Sequence, residues 1–511
     1  MRFAYALMRD WPSLAWLARC SPTRPVVDVF HGPGVELTSE WFCEAVWAGA
    51  YETGGFDHTD VVFGSGGRVR GPAATFVSSG TTVDRLQSLE TADATWVSNS
   101  LPCLLAAVGG EPDPAYGAYF RDLGSIKHGL RRYRRTLATS AGRVGLTYYH
   151  NLVWTEGRLV EAAKPAPTRD FSGYVPYRDF LAASLDALAQ NLADPARACP
   201  YAMLGTISSG YDSPTVTALA RACGLREAVS FATANDGAPD DGAAVAAMLG
   251  VRVRSVSWNA WRARALGEVP FLAADAKGED AYIGGAERLL RGRVLLTGFF
   301  GDKVWDPSGN GPEGDLARHD QSGLALTEYR LSAGFIHCPV PYLGARQTRD
   351  IKAISRSPAM TPWAIPGKYS RPICRRIVEA AGVPREAFGM QKKAASVLFF
   401  VKPSGLGPDA RADLGRWLAE HADAWRARGR RVPRLTARPA TWQVIAQVGS
   451  RPLRALAAAA PRRLGFLSPL ADRVAGLARH APSFRHVFPW ALARMKQRYA
   501  AGPLCSATDR A

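Results

Sequence analysis

No Cys-x-x-Cys pair occurs in this 511-residue sequence. Its eight cysteines, Cys20, Cys43, Cys103, Cys199, Cys223, Cys338, Cys374 and Cys505, follow no regular spacing. That pattern argues against a structural zinc site and against a disulfide framework, and a reducing cytoplasm is the expected setting. Long apolar runs are missing too. The opening MRFAYALMRDWPSLAWLARCSP is broken by Arg9, Asp10 and Arg19 before it reaches the length of a signal-peptide core or a spanning helix, so no export signal is read. Neither an internal repeat nor a heptad pattern is present. Acids are scarce beside bases, 45 Asp and Glu against 63 Lys and Arg, leaving a formal charge of +18. Such an excess suits nucleic acid, a membrane surface, or ATP with a phosphorylated substrate, and does not choose among them. Abundant Arg, Ala, Gly and Pro, a bias that a GC-rich genome produces, weakens it further as a functional signal.

What is present is an ordinary globular composition, 47% apolar and 21% charged. The length predicts two globular units and a terminal extension. Residues 1–170 read as a β-rich α+β unit. Short apolar runs at 26–30, 60–63, 73–77, 95–97 and 144–154 are separated by turn clusters such as Gly64-Ser65-Gly66-Gly67 and Gly109-Gly110-Glu111-Pro112, with helical stretches near 39–50 and 116–123. The polar, Pro-containing segment 162–172 marks a boundary, after which 177–192 has the apolar spacing of an amphipathic helix.

From about residue 201 the pattern becomes strand (201–207), helix (214–223), strand (228–233), helix (241–249), strand (251–257), with Gly224 and Gly250 closing the helices. This βαβαβ order predicts an α/β unit over 171–400, a parallel sheet with helices on both faces and ligands at the carboxyl ends of its strands. Residues 401–511 form a basic helical extension in which 451–498 carries ten Arg or Lys against the single acid Asp472. It reads as a basic amphipathic surface for peripheral membrane contact, or as a solvated helical tail.

Ser208-Ser209-Gly210-Tyr211-Asp212-Ser213 follows the strand at 201–207 directly and precedes Pro214, suited to the first turn of a helix. Small residues let successive N–H groups close around an anion, and the helix N-terminus adds positive potential. An acid inside such a loop repels phosphate unless a divalent cation bridges them, so Asp212 suggests Mg²⁺. The plain alternative is a Ser/Gly turn before a helix.

The loop resembles the SGG-x-DS loop of the PP-loop ATP pyrophosphatases, with Ser209 in place of the first glycine. Further segments resemble the asparagine-synthetase branch in the same order. VLLTGFFGDKVW (294–305) is similar to LLSGEGADELF, GFIHCPVPYL (334–343) to GLEARVPFL with one inserted residue, and Lys368-Tyr369 through Lys392 to the closing segment with its pyrophosphate lysine. The resemblance covers about 177–398. It implies ATP and Mg²⁺ as cofactors, adenylation of a small-molecule or peptide carboxylate, and displacement of AMP by ammonia or an amine. It places ATP against Ser208, Ser209, Gly210, Tyr211, Asp212, Ser213 and Gly298, the metal on Asp212 and Asp302, and the leaving pyrophosphate beside catalytic Lys392. Asp240 and Asp241 match a family acidic pair and read as a helix cap.

Departures are specific. The chain reads Met1-Arg2 where glutamine-dependent members carry a nucleophilic cysteine, so the first unit is expected to be a degenerate, inactive glutaminase-like domain of Ntn-amidotransferase type, as in the β-lactam synthetases, with Cys20 and Cys43 as buried structural thiols. Phe299 and Ile336 stand where that branch has a Tyr–Glu base pair, and Lys303 replaces the motif's last glutamate. His337 is the titratable neighbour, read as a core or surface histidine before a base. A competing reading is a catalytically inactive homologue acting as a partner subunit. A tRNA-modifying enzyme is disfavoured by the long segment before the loop and by the missing cysteine pairs, so no nucleic acid is expected.

Overall fold

The structure, a computed structural model, describes residues 1–113, 116–231, 233, 240–309, 314–366, 369–390, 395–399, 405–427 and 486–499, with isolated positions between 452 and 470. It is a mixed α/β protein with a β-rich N-terminal region and a separate parallel sheet. Among the described residues no helix is long and apolar enough to cross a membrane.

The N-terminal strands are β1 (Arg2–Leu7), β2 (Trp16–Cys20), β3 (Val26–His31), β4 (Glu36–Leu37), β5 (Trp41–Trp47), β6 (Val62–Arg70), β7 (Ala73–Val77), β8 (Arg85–Glu90), β9 (Thr95–Ser98), β10 (Thr136–Thr139), β11 (Gly142–Tyr148), β12 (Asn151–Thr155) and β13 (Arg158–Ala162). They form one sheet ordered β1-β3-β2-β9-β8-β11-β10 and another ordered β13-β12-β7-β6-β5-β4. Side chains of both sheets share a core that includes Phe3, Trp16, Val27, Phe42, Phe76, Leu86 and Trp154. Trp16 meets Phe42 edge-on at 5.1 Å and stacks on Phe76 at 6.1 Å.

Two expectations fail here. The stretch 39–50 is not helical: Trp41–Trp47 is a strand with every residue buried, and a run apolar at every position but Glu44 gives no clear periodicity to separate the two. The glycines at 64, 66 and 67 do not make a turn. They lie inside β6, where a Cβ on Gly64 would stand 2.0 Å from the Glu44 carbonyl oxygen and one on Gly66 2.2 Å from that of Phe42. Glycine serves close strand approach there.

The parallel sheet contains β14 (Ala202–Thr206), β15 (Glu227–Phe231), β16 (Arg252–Val256), β17 (Arg293–Thr297) and β18 (Phe335–Pro339), ordered β16-β15-β14-β17-β18 with every neighbouring pair parallel. Successive residues enter opposite cores. Val294 and Leu296 join a cluster with Val216 of helix Asp212–Ala222 and Val245 of helix Ala243–Met248. Leu295 joins the other, with Phe271, Tyr329 and Trp490. Both faces are therefore covered by helices, which explains the apolar run of the inner strand β17, while the edge strand β16 exposes Arg252 and Arg254.

The segment 487–499 departs from a solvated tail. Helix Val487–Lys496 buries Phe488, Trp490, Leu492 and Met495, and its cations face inward partners: Arg494 pairs with Asp413 at 2.6 Å and Lys496 bonds the Gly110 carbonyl. Apolar residues at helical spacing outweigh the basic composition. The rest of 428–485 falls almost wholly outside the described residues.

Where this helix ends, Tyr499 joins a buried cluster. Ser100 Oγ lies 2.8 Å from Glu328 Oε2 and 3.1 Å from the Tyr499 oxygen, while the Leu101 N–H donates to Glu328 Oε1 at 3.1 Å. Burial pushes the Glu328 carboxyl up to about 7 against the pull of Ser100. The folded chain thus holds this proton more tightly than the unfolded chain does. The stability it contributes is complete below the ordinary value of 4.5 and is lost as pH rises through about 7. Thermal melts at about pH 5 and about pH 8 are expected to show a steeper fall in Tm for the wild type than for Glu328→Gln. Equal slopes would contradict this assignment.

Candidate functional site

Strand order changes direction between β14 and β17, and doubly wound sheets open their crevice at the carboxyl ends of such a pair. The loops leaving these strands, 207–213 and 298–302, meet there. A Cβ on Gly298 would stand 2.5 Å from Asp212 Cβ and 2.9 Å from the Ser213 nitrogen, and one on Gly301 would lie 2.6 Å from the Asp212 carboxyl. Backbone approach requires glycine at 298, and the Asp212 side chain takes the room of a Cβ at 301. Gly298→Ala is expected to cost about 1–3 kcal/mol in a denaturation titration by forcing the two loops apart.

Within the first loop, Ser208 Oγ accepts the Gly210 N–H at 3.2 Å and lies 2.9 Å from Ser213 Oγ. Asp240 accepts both the N–H of Ser209, at 3.2 Å, and its hydroxyl, at 2.8 Å. The helix-cap reading of residues 240 and 241 therefore divides: Asp241 accepts the Ala243 N–H at the helix start, whereas Asp240 occupies donors of the loop. Tyr211 is buried, bonded to Arg375 at 2.7 Å and pressed against Gly389, where a Cβ would come within 2.4 Å of its ring. Its side chain anchors helix Pro372–Ala380 to the loop.

A cavity of about 440 Å³ opens over these loops. Six acids line it, Asp212, Asp240, Glu279, Asp280, Asp302 and Asp320, against the cations Lys303 and Arg371 among the described residues. Arg371 pairs with Asp212 and lies over the Tyr211 and Tyr369 rings, 5.9 and 5.5 Å from their centroids. Burial works against the charge of Arg371, and Asp212 holds it in the cationic form. Lys303 pairs with Asp302 at 2.6 Å and with Asp320 at 3.5 Å, and these carboxylates raise its pKa in spite of burial.

With acids in this excess, a polyphosphate enters only with a cation to screen it. Among the described residues no three His, Cys, Asp or Glu side chains gather into a metal cage. Magnesium needs none, because it keeps several waters and binds through one or two carboxylates together with substrate phosphates. Asp212 and Asp302 on one cavity wall fit that donor set.

Ile336 does not face Phe299. Alternation along β18 sends Ile336 into the core on the other face, and His337 meets Phe299, ring to ring at 5.5 Å. His337 bonds Thr297 Oγ1 at 2.9 Å, and burial drives its pKa down to about 3, so it stays neutral. Phe300 holds a left-handed φ of 78°, a conformation that costs a bulky residue about 1–3 kcal/mol. Its ring stacks on Tyr342 at 4.6 Å, which holds it there.

Lys392 lies outside the described residues, as do its neighbours Gln391 and Lys393. Arg371 escaped sequence reasoning although it lies within the closing segment, because only folding brings it to Asp212. Cys20 and Cys43 are wholly buried, and burial raises both thiols far above the usual range. No family model matches the chain, and no curated protein matches it.

Proposed function

We propose that the protein is an ATP-dependent carbon–nitrogen ligase of the asparagine-synthetase type. The observation that carries this reading is the meeting of Asp212 and Asp302, from the two loops that carry the family resemblance, on one cavity at the switch point of the parallel sheet. Asp212 and Asp302 would hold Mg²⁺, which when bound screens the phosphates and polarises the α-phosphorus. Freed from Asp212, Arg371 turns its guanidinium to phosphate oxygens, with the Ser208 and Ser213 hydroxyls and the helix N-terminus as further donors. Lys392 offsets charge on the departing pyrophosphate. A substrate carboxylate oxygen bonds to the α-phosphorus as the bond to pyrophosphate breaks, and an amine then displaces AMP from the acyl carbon. The N-terminal sandwich serves as a glutaminase-like scaffold without a nucleophile, its buried thiols offering none.

The alternative, an inactive partner subunit, draws on Lys303, which ties up Asp302 where the family motif carries an acid. Purified protein with ATP and Mg²⁺, screened across carboxylate and amine pools for AMP and pyrophosphate, separates the two. Turnover lost in both Asp212→Ala and Lys392→Ala supports the ligase. Failure of every pool, with no ATP binding by calorimetry, selects the partner-subunit reading.

A further inference from the structure

The reaction needs something to take a proton from the attacking amine, and neither Phe299 nor the neutral His337 does so. Asp280 is 2% exposed yet lines the cavity. Its Oδ2 accepts the N–H groups of Gly323, at 2.8 Å, and Ala325, at 3.2 Å. Those donors fix the carboxylate beside the aromatic wall, because a Cβ on Gly323 would lie 3.1 Å from the Phe299 ring and 3.3 Å from His337. No described cation lies within ion-pair distance of Asp280, whereas Asp212 and Asp302 are each paired. A buried carboxylate that faces a cavity with no cation in direct contact is a site for one to be supplied.

Resting on the ligase reading, we propose that the acceptor is a primary amine bound as its ammonium against Asp280 and Glu279, and that Asp280 takes its proton. The N–H bond breaks onto the carboxylate, and the freed lone pair forms the C–N bond to the acyl-adenylate carbonyl. The adduct then expels AMP with the electrons of the C–O bond, and its second proton leaves to water. Asp280 is charge-matched to this task by its surroundings. Asp275 and Glu279 on its own stretch add negative charge nearby, and Arg318 and Asp320 face it from the 318–325 loop. Burial first, with Asp275 and Glu279 adding to it against the pull of the Gly323 N–H, pushes its carboxyl up to about 8.

The test uses full-length protein with whichever carboxylate, from a pool of amino acids and dipeptides, best supports ATP–pyrophosphate exchange. The acyl group is then captured either by 1,5-diaminopentane, a cationic amine, or by hydroxylamine, which is uncharged at neutral pH and needs no base. In Asp280→Asn, which keeps an oxygen for Gly323 and Ala325, the ratio of amine transfer to hydroxylamine capture is expected to fall on the order of 10²-fold. Asp280→Glu is expected to restore part of it. In the wild type the same ratio should level off near pH 8. Without an enzymatic base it would climb to the amine's own pKa, roughly 10.4. A ratio unchanged in Asp280→Asn, or a climb to that higher value, overturns the assignment of Asp280 alone. Absence of exchange in the wild type overturns the adenylation reading beneath it.

Discussion

Arg330→Leu is expected to destabilise the protein by about 3–5 kcal/mol, among the largest losses available to a single substitution here. Arg330 sits on helix Thr327–Ala333, beside the parallel sheet, and reaches into the N-terminal sandwich. Its Nη1 bonds Glu44 Oε2 at 2.6 Å and its Nη2 bonds Glu44 Oε1 at 3.2 Å, while Nε bonds Asp84 at 3.1 Å. Ser65, at 2.5 Å, and Asn99, at 3.2 Å, complete the shell of Glu44, and Thr327 donates to Asp84 at 3.0 Å. All three charged side chains are at most 5% exposed. Removing the guanidinium strands two carboxylates away from water. Burial already raises the Glu44 pKa and Arg330 pulls it back. Without that pull the carboxyl rises further, so the stability it leaves is present at low pH and lost as pH rises. Denaturant melts should therefore show a smaller loss at about pH 5 than at about pH 8, and partial recovery when Glu44→Gln is added. A loss that ignores pH and is not relieved by Glu44→Gln would contradict the role given to this cluster.

The second large effect concerns activity. In Asp212→Ala, Mg²⁺-dependent formation of AMP and pyrophosphate is expected to fall by at least ~10²-fold. Affinity for ATP without Mg²⁺ should hold or rise, because the substitution removes a negative charge from the cavity and frees Arg371 for phosphate. Arg371→Ala reverses the pattern, weakening ATP with or without the metal. Calorimetry with and without Mg²⁺ reads both. Parallel loss of metal-free binding in the two variants would show that the ion pair holds the loop in shape and has no part in exchanging partners with ATP.

Much of the parallel sheet was legible because short strand runs alternate with helices closed by Gly224 and Gly250, and the loop Ser208–Ser213 announces itself by small residues before a helix. The N-terminal sandwich was less so. Trp41–Trp47 is apolar at every position but Glu44 and carries no clear period, and Gly64 to Gly67 look like a turn until the neighbouring strand is seen to need the room. For the site, residues inside contiguous motifs were readable, whereas Arg371, Asp280 and the facing of Phe299 by His337 depend on chain crossings and on strand alternation. Successive residues of a strand point to opposite faces, which is why His337 and not its neighbour Ile336 meets Phe299.

The most direct test of the ligase account is exchange of labelled pyrophosphate into ATP by the full-length protein with Mg²⁺ and a carboxylate pool, no amine added. Label entering ATP only with a carboxylate present, and not in Asp212→Ala, is the predicted result. Tight binding of Mg²⁺ and ATP without any exchange, or cleavage to ADP and phosphate in its place, would contradict it.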